Sequence, residues 1–418
     1  MPENIDFLEG LNMADIKPFR ALRYSKETIT NFICPPYDVV NDDEKAKLKI
    51  LSPFNIVNVE LPDSRDKRNK YKNAADLLRS WQDEHILERD KTPALYFYEQ
   101  IFEDHGITMT RRGFFASLKL DNPHSGKGSV KPHEKTLTEP KSDRLNLLKA
   151  TKTNISPIFG LFEDKNRTAV GICRTITRRT PSVTAKDREK VFHKMWVVTD
   201  KDIIETLEKY LSTKEVFIAD GHHRYETAWN YLQERKEKDN NYSQNKEYNY
   251  VLAYLCSMED PGISIWPTHR VIKAPEDLES NIEKYFNVHS AYDFEELSKK
   301  EIQPMMIFKD NRYKVLVIKK ESFLKKAMRD KCKAYRNLAV SALHYVLIPN
   351  VDASEFTYAK DEKEAVLNAK KTGRIAIIVP ATPVESLKAI SLKNEMMPQK
   401  STYFYPKLAS GVVMACIK

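Results

Sequence analysis

The sequence predicts a mixed α/β protein of the α+β class, because segments with helical and with strand periodicity alternate along its 418 residues. A β-hairpin is indicated where Ala94–Tyr98 and Arg112–Leu118 flank a turn at Asp104–Gly106. Just before it, apolar residues at positions i, i+3, i+4 and i+7 indicate an amphipathic helix, namely Ala74, Leu77, Leu78 and Trp81. A chain of this length is expected to form more than one domain.

The alternation continues through the rest of the chain. Further helices are predicted from apolar stripes or from a favourable first-turn proline, at Ile203–Leu211, after Asp220-Gly221, and after Pro383. Runs of apolar residues predict further strands at Val216–Ala219, Asn249–Met258, Met305–Phe308, Val315–Val317 and Arg374–Val379.

Loop composition suggests three regions. The segment 121–131 contains Pro123, Gly126, Gly128 and two serines, and we expect it to be a surface loop. On this basis an N-terminal α/β region is placed at 1–120, a central core at 121–290 and a C-terminal α/β region at 291–418.

The chain is basic, with 68 Lys and Arg against 59 Asp and Glu, a formal net charge of +9. This balance suits an anionic partner such as a phosphorylated metabolite, a nucleotide or a nucleic acid. A lysine-rich solvated surface would give the same balance. Charge alone therefore does not choose among these partners.

Cysteine usage and hydropathy indicate a cytoplasmic protein. The five cysteines are scattered and include no C-x-x-C pair, which favours reduced thiols over a disulfide framework or a zinc ribbon. No apolar run approaches the ~18 residues that a membrane span needs. The N-terminal Met1–Asp6 is polar and acidic, unlike a signal peptide.

The most informative segment is Asp220-Gly221-His222-His223-Arg224, between a predicted strand and a predicted helix. A sharp turn at Gly221 places the next backbone N–H groups at a helix N-terminus, which favours phosphate. Arg224 adds a planar fork for phosphate oxygens, and the histidines add further donors. Asp220 is a candidate Mg²⁺ ligand or proton acceptor. The alternative is that Asp220 only caps the helix and the histidines fill a polar core.

A second polar group follows the predicted loop. His133, Glu134, Lys135 and Thr136 lie together, and Lys141 and Arg144 follow within ten residues of Glu134. Phosphoryl transfer needs cations for the phosphates and a carboxylate for the proton of the attacking hydroxyl. The segment offers both, although a solvated charged loop would have the same composition.

Two basic clusters, Arg111-Arg112-Gly113 and Lys400–Lys407, make Arg112 and Lys407 weaker candidates for phosphate contacts, since such residues more often lie at the surface. The common phosphate-binding signatures are absent from the sequence: it has no complete P-loop and no G-x-G-x-x-G. No G-x-S-x-G elbow occurs either. A phosphate-handling protein with this sequence must therefore use another scaffold.

The segment Asp220–Arg224, with Tyr225, Glu226 and Ala228 behind it, resembles the phosphate-binding motif of the ParB/sulfiredoxin-like superfamily. Free-serine kinases with an Asp-Gly-His-x-Arg motif belong to that superfamily. From about Lys17 to Gly411 the sequence also resembles a family of serine kinases that use inorganic pyrophosphate as donor. This wider resemblance is carried by Pro35–Asp38, Arg112-Gly113, His133–Thr136, Ile218–Arg224 and Lys400–Lys407.

The resemblance implies a ParB/sulfiredoxin-like catalytic core at 121–290, flanked by additional α/β regions. It implies phosphorylation of the hydroxyl of free L-serine to O-phospho-L-serine, with pyrophosphate as donor and Mg²⁺ as cofactor. The implied partners are these small molecules, with no nucleic acid and no membrane. Catalytic roles are expected for Glu134 as the favoured base, for Asp220 as Mg²⁺ ligand or second carboxylate, and for His222. Contacts to phosphate or serine are expected from His133, Lys135, Thr136, Lys141, Arg144, Gly221, His223, Arg224, Arg112 and Lys407.

Other functions stay open at this point. One is a serine kinase that uses ADP or ATP, and another is a phosphoserine phosphatase with water as the acceptor. A third is a nucleotide-gated DNA-binding protein of the ParB kind. That protein would need a helix-turn-helix with a basic recognition helix, and the cations of this sequence are dispersed instead.

Overall fold

The structure is a computed structural model that describes residues 13–63, 69–136 and 138–417. The N-terminal segment Met1–Asp6, on which the absence of a signal peptide was judged, lies outside these residues. None of the described helices has the length and apolar composition that crossing a bilayer requires. All five cysteines are free thiols, as their spacing predicted.

Helices and strands alternate through the described residues, as the fold class predicted. The α-helices are α1 Asp42–Leu51, α2 Val57–Glu60, α3 Lys70–Asp83, α4 Thr138–Thr151, α5 Thr168–Ile176, α6 Lys201–Leu211, α7 His222–Lys238, α8 Leu278–Tyr285, α9 Phe294–Leu297, α10 Glu321–Ala327, α11 Lys333–Arg336, α12 Ala339–Ala342, α13 Glu362–Thr372 and α14 Val384–Leu392.

The strands are β1 Ile16–Lys17, β2 Leu22–Tyr24, β3 Leu87–Arg89, β4 Leu95–Asp104, β5 Ile107–Lys119, β6 Val130–Lys131, β7 Thr153–Asn154, β8 Ile158–Phe162, β9 Val183–Lys186, β10 Phe192–Val198, β11 Val216–Asp220, β12 Tyr250–Ser257, β13 Ser264–Trp266, β14 His269–Ile272, β15 Phe286–His289, β16 Met305–Lys309, β17 Arg312–Ile318, β18 Thr357–Ala359, β19 Ile375–Ile378, β20 Tyr403–Tyr405 and β21 Ala415–Cys416.

The chain forms two compact units whose bounds differ from the three regions placed by loop composition. Unit 1 comprises residues 1–131, 136–264 and 406–418, and unit 2 comprises residues 132–135 and 265–405. Residue 120 is not a boundary between compact units, because β5 on one side of it pairs with β12 on the other. The C-terminal segment from Pro406 also rejoins unit 1, which loop composition alone does not reveal.

Unit 1 contains a mixed sheet, in which the described strands follow the order β6-β11-β8-β12-β5-β4-β10-β9, with β1 also paired to β5. Most neighbours are antiparallel, whereas β11 with β6 and β12 with β8 are parallel. Every residue of β12 is buried, as expected for a central strand covered on both faces. The core of this unit joins strand residues such as Phe114 and Leu255 to helix residues such as Leu207, Tyr225 and Leu232.

The sheet of unit 1 determines where the Asp-Gly segment lies. In β11, Val216 and Ile218 enter the core, and the pairing of β11 with β8 shifts register between Ile218 and Asp220. Such a β-bulge reorients the side chains at a strand end. Gly221 follows with φ of +90°, and α7 begins at the next residue. The predicted order of strand, sharp turn and helix is therefore confirmed.

Unit 2 contains an antiparallel sheet in the order β15-β17-β16-β19-β14-β18. Its apolar core includes Val271, Met306, Val315 and Ile378. The predicted hairpin at 305–317 is present as β16 and β17. The helix predicted after Pro383 is also present, with Pro383 as its N-cap residue.

One segment differs from its interpretation. The polar residues 141–144, three of them charged, were considered as part of a loop, whereas they lie inside α4. Leu147 and Leu148 of this helix are buried, and Arg144 itself is only 7% exposed. The apolar residues that hold α4 in place therefore come after the charged cluster, which is why the polar composition of that cluster did not predict a helix.

Candidate functional site

The carboxylate of Asp220 at the end of β11 is held by two cations. Its Oδ1 accepts a hydrogen bond from Lys407 Nζ at 2.8 Å, and its Oδ2 accepts one from Arg224 Nη2 at 2.7 Å. The three side chains are only 10–17% exposed. Burial raises the pKa of Asp220, but Lys407 and Arg224 lower it by more, so the pKa lies below its usual range. The carboxylate is thus ionised at neutral pH and anchors both cations.

Arg224 is fixed by geometry as well as by charge. Its position four residues after Asp220 allows an i,i+4 ion pair across the first turn of α7, and its Nη1 donates to the carbonyl of Pro157 just before β8. Burial lowers the pKa of Arg224, whereas Asp220 and Asp38 raise it, and the net shift is upward. The guanidinium is therefore a permanent positive charge in a defined orientation.

The turn at Gly221 permits this arrangement. A Cβ at this position would lie 3.0 Å from Arg224 Nε, and the φ of +90° disfavours any L side chain. Gly221 is also the N-cap of α7 and has no side chain that could cap the helix. The positive end of the helix dipole therefore coincides with the two cations, which is a favourable environment for an anion.

Lys407 reaches Asp220 because its backbone is fixed from the sheet. Gln100 on β4 donates from Nε2 to the carbonyl of Lys407 at 3.0 Å. Arg111 on β5 is fully buried and donates to Gln100 and to the carbonyl of Pro406. The guanidinium of Arg111 also lies 4.8 Å from the centre of the Phe159 ring. Arg111, the neighbour of the predicted Arg112, therefore affects the site indirectly, because it fixes the backbone that positions Lys407.

Arg144, predicted as a phosphate contact, lies in a different polar cluster of unit 1. It donates to Asp143 and to the carbonyl of Glu60, and its guanidinium stacks on Tyr37 at 4.3 Å. Burial, with a contribution from Asp38, raises the pKa of Tyr37 to about 12, although Arg224 and Arg144 act in the opposite direction. Arg144 and Arg224 line one common cavity, so this cluster is continuous with the Asp220 site.

Thr136 and Lys141 are brought together at Glu226, one turn further along α7. Lys141 Nζ donates to Glu226 Oε1 at 2.7 Å, and Thr136 donates to Oε2 of the same carboxylate. Burial raises the pKa of Glu226, but the hydrogen bonds from Lys141 and Thr136 prevail and lower it. The structure therefore gives these two residues a carboxylate partner within the protein.

The structure pairs Arg112 within the sheet of unit 1 and assigns the segment 133–135 to unit 2. Arg112 Nε donates to Glu99 Oε2 at 2.7 Å on the neighbouring strand. His133, Glu134 and Lys135 belong to unit 2. There Glu134 forms an isolated bridge with Met397, and His133 Nε2 lies 3.2 Å from the hydroxyl of Thr402.

His222 and His223 open α7 directly after Gly221. His222 is only 8% exposed, and its electrostatic interaction with Asp220 contributes to the lowered pKa of that carboxyl. His223 is half-buried. Both predicted residues thus lie in the first turn of the helix, as the sequence indicated.

The surroundings of Asp220 do not suit direct coordination of Mg²⁺. Mg²⁺ prefers oxygen ligands in octahedral geometry and is commonly held by carboxylates together with substrate phosphates. Both carboxylate oxygens of Asp220 already accept hydrogen bonds from cationic groups. A divalent cation at this carboxylate would be repelled by Lys407 and Arg224. Asp220 fits the role of an anchor for cations better than that of a metal ligand.

Sequence reasoning missed several residues of these clusters. Glu60, Ser156 and Ser410 form a buried chain, in which Ser156 Oγ lies 2.8 Å from Glu60 Oε1 and 2.6 Å from Ser410 Oγ. None of them lies in a polar motif. Gln100 was missed as well, and Arg111 was grouped only with the weak basic candidates, since only the pairing of strands reveals their partners.

The profile of the family described as "Protein of unknown function (DUF1015)" matches residues 16–343. The chain belongs to this family. The match includes Asp220–Arg224 and most of both units, and it ends before Lys407. No curated protein matches the chain.

Solved structures that resemble the chain do so at low identity. A free serine kinase in complex with AMP has 11% identity and a TM-score of 0.34, covering 68% of this chain and 89% of that one. A conserved hypothetical protein from Pyrococcus furiosus has 14% identity and a TM-score of 0.33, covering 68% and 92%. C-terminally truncated SbnI from Staphylococcus aureus has 10% identity and a TM-score of 0.34, covering 71% and 85%.

Proposed function

We propose that the chain is a phosphotransferase that moves a phosphoryl group from inorganic pyrophosphate to the hydroxyl of L-serine. The observation that carries this proposal is the pair of buried cations, Arg224 and Lys407, held on Asp220 at the N-terminus of α7. The resemblance of the Asp220–Arg224 motif to that of free-serine kinases supplies the choice of acceptor, and the wider resemblance from about Lys17 to Gly411 supplies the choice of donor.

The cluster has the properties that phosphoryl transfer requires of a protein. Catalysis of this reaction consists mainly of positioning and of stabilising the charge that spreads over the transferred group. A guanidinium and an ammonium whose positions are set before the substrate binds require little reorganisation during the reaction. Asp220 is the residue that sets both positions, so we assign it a positioning role.

The proposed step is a substitution at phosphorus. The serine oxygen forms a bond to one phosphorus of pyrophosphate, the bridging P–O bond breaks, and inorganic phosphate leaves. Arg224 and Lys407 stabilise the negative charge on the donor, and the amides at the start of α7 add to that field. The proton of the serine hydroxyl passes to a carboxylate, for which Glu134 is the proposed acceptor.

Mg²⁺ stays part of the proposal as the ion that pyrophosphate carries. When bound, it would neutralise charge on the donor phosphates. No step assigned to the residues above depends on it.

An end-point assay tests the proposal directly. The full-length protein is incubated with L-serine and, separately, with pyrophosphate, ADP or ATP, and phosphoserine is measured by mass spectrometry. We expect product with pyrophosphate. Higher yield with ADP or ATP would replace the donor by a nucleotide, and release of phosphate from phosphoserine alone would favour a phosphatase. No phosphoserine with any donor would refute a serine kinase.

A matched pair of arginine variants connects the activity to the cluster. Both Arg224 and Arg235 lie on α7 and pair with an aspartate at i,i+4 spacing. Arg224→Lys keeps the charge but loses the fork that reaches Asp220 and Pro157, so we expect kcat/KM to fall by about 10²–10³. Arg235→Lys should leave kcat/KM near the wild-type value. Equal effects of the two variants would separate the activity from the Asp220 cluster.

A further inference from the structure

A cavity in unit 1 lies next to the Asp220 cluster, and binding of phosphate at that cluster does not account for the side chains that line it. Its volume is about 50 Å³, several times the roughly 10–15 Å³ that a single water needs on the same measure. Its charged lining consists of the guanidiniums of Arg144 and Arg224 and the carboxylate of Glu60. The side chains of Glu60 and Arg144 are only 3% and 7% exposed. Such buried charges are unusual unless they serve structure or a ligand.

Two polar residues of the same lining have side-chain atoms with unmet hydrogen-bonding capacity. The hydroxyl oxygen of Thr227 and the amide nitrogen of Asn154 are both buried and have no partner within the protein. Thr227 and Asn154 are 3% and 8% exposed. A buried polar atom without a partner has a free-energy cost, and a bound ligand or ordered water would remove that cost.

The charges of the lining are complementary to a zwitterion. Two guanidiniums suit a carboxylate, for which the Asn154 amide and the Thr227 hydroxyl are further donors. Glu60 suits an ammonium group, and its Oε1 already accepts from Ser156 while lying 3.6 Å from Arg144. A phosphate, by contrast, would bring negative charge next to Glu60.

We propose that this cavity binds the α-carboxylate and α-ammonium groups of a small amino acid. The identity of that amino acid as the acceptor L-serine rests on the proposed function. Arg224 connects the two sites, because the guanidinium that lines the cavity also donates to Asp220. The acceptor is thereby recognised within reach of the cations that hold the phosphoryl donor.

The proposal is tested by calorimetry on the full-length protein without any phosphoryl donor. The probes are L-serine and L-alanine, which have both charged groups, then ethanolamine and 3-hydroxypropanoate, which each lack one, and pyrophosphate. We expect both amino acids to bind, and each of the two truncated probes to bind about tenfold more weakly or worse, because a buried charge of the cavity stays unpaired.

Thr227→Val gives a second test, whose two readouts move in opposite directions. Removing a buried hydroxyl without a partner should raise the Tm of the ligand-free protein. The same change should weaken L-serine binding about tenfold and raise the KM for serine with little change in kcat. Thr206→Val on α6 is the control, since its exposed hydroxyl bonds only within its own helix. Asn154→Leu supplies an independent cavity variant.

The outcomes separate the cavity from the activity. Four results would each overturn the proposal. Ethanolamine could bind as tightly as L-serine, or Thr227→Val could leave the affinity for serine unchanged. Pyrophosphate could be the single probe that binds, or no probe could bind at all. If Thr227→Val weakens L-serine binding but the protein makes no phosphoserine, the proposed function is refuted and the cavity assignment is kept. If the protein makes phosphoserine but Thr227→Val leaves the KM for serine unchanged, the proposed function is kept and the cavity assignment is refuted.

Discussion

Replacing Asp220 by asparagine removes the anchor of the cluster while keeping its size. The wild-type carboxylate accepts from Lys407 through one oxygen and from Arg224 through the other. The amide of asparagine has one acceptor oxygen and one NH₂ donor, so one of the two cations would face a donor. We therefore expect both a loss of stability and a loss of phosphoserine formation.

The magnitude follows from the burial of the three side chains. Removing one partner of a buried ion pair costs about 3–5 kcal/mol, because the other charge stays buried without compensation. Since Asp220 is 17% exposed and its two partners 10% and 11%, we expect the low end, about 3 kcal/mol. Asp76 is the matched control: its i,i+3 pair with Arg79 is about half exposed or more, so Asp76→Asn should cost about 0–1 kcal/mol.

Urea denaturation followed by far-UV circular dichroism and tryptophan fluorescence measures both variants. A double-mutant cycle with Lys407→Met adds a specific readout, because Asp220→Asn should cost less once one of its cations is absent. We expect a coupling of at least about 1 kcal/mol. A cost below that of Asp76→Asn, or a coupling of zero, would refute the reasoning that Asp220 is held as a buried carboxylate between two cations.

The same variant should show a defined dependence on pH. The pKa of folded Asp220 lies below its usual value, because Lys407 and Arg224 outweigh the opposing effect of burial. The stabilisation is therefore fully present above the unfolded pKa of about 3.9 and is lost as pH falls through the lower folded pKa. The stability difference between wild type and Asp220→Asn should be constant from about pH 7 to 5 and shrink below about pH 4.

Three further variants address single residues. Glu134→Gln should nearly abolish phosphoserine formation and leave the circular dichroism spectrum unchanged; wild-type turnover would exclude Glu134 as the base. Lys141→Met should lower the free energy of unfolding by about 1–3 kcal/mol, because Glu226 loses a hydrogen-bond donor, and it should change kcat less than tenfold. A larger loss of kcat would support the contact between Lys141 and substrate that the sequence predicted. Gly221→Ala should cost about 1–3 kcal/mol of strain and also lower activity. Gly373 has a positive φ as well, but an added Cβ would meet no atom within 4 Å, so Gly373→Ala should lower stability alone.

Local periodicity predicted much of the fold because it reports local structure. The strand β11, the turn at Gly221 and the helix α7 each leave a signature within a few residues: an apolar run, a glycine, and apolar residues at helical spacing. The hairpin of β4 and β5 was predictable for the same reason. The bounds of the central region, 121–290, were less predictable, because β12 inside this region pairs with β5 outside it.

The partners of the site residues were not predictable from the sequence, because they depend on long-range pairing. Lys407 lies 187 residues from Asp220, and nothing in its segment Lys400–Lys407 indicated that the chain rejoins unit 1 there. Glu60 ends the short helix α2, in a segment with no polar motif, yet contacts Arg144 at 3.6 Å. The type of residue at 141 predicted a contact between Lys141 and a substrate phosphate, whereas the structure pairs Lys141 with Glu226.

Arg224 joins the two parts of the proposed active site, which gives the substitutions of unit 1 a distinguishable kinetic pattern. Its guanidinium donates to Asp220 and also lines the cavity assigned to the amino acid. Arg224→Lys should therefore raise the KM for pyrophosphate and for serine together, because both subsites lose a planar fork. Lys407→Met should raise mainly the KM for pyrophosphate, and Thr227→Val mainly that for serine. If Arg224→Lys changed the KM of one substrate alone, the cavity and the Asp220 cluster would be independent sites, and the common guanidinium would have no role in bringing donor and acceptor together.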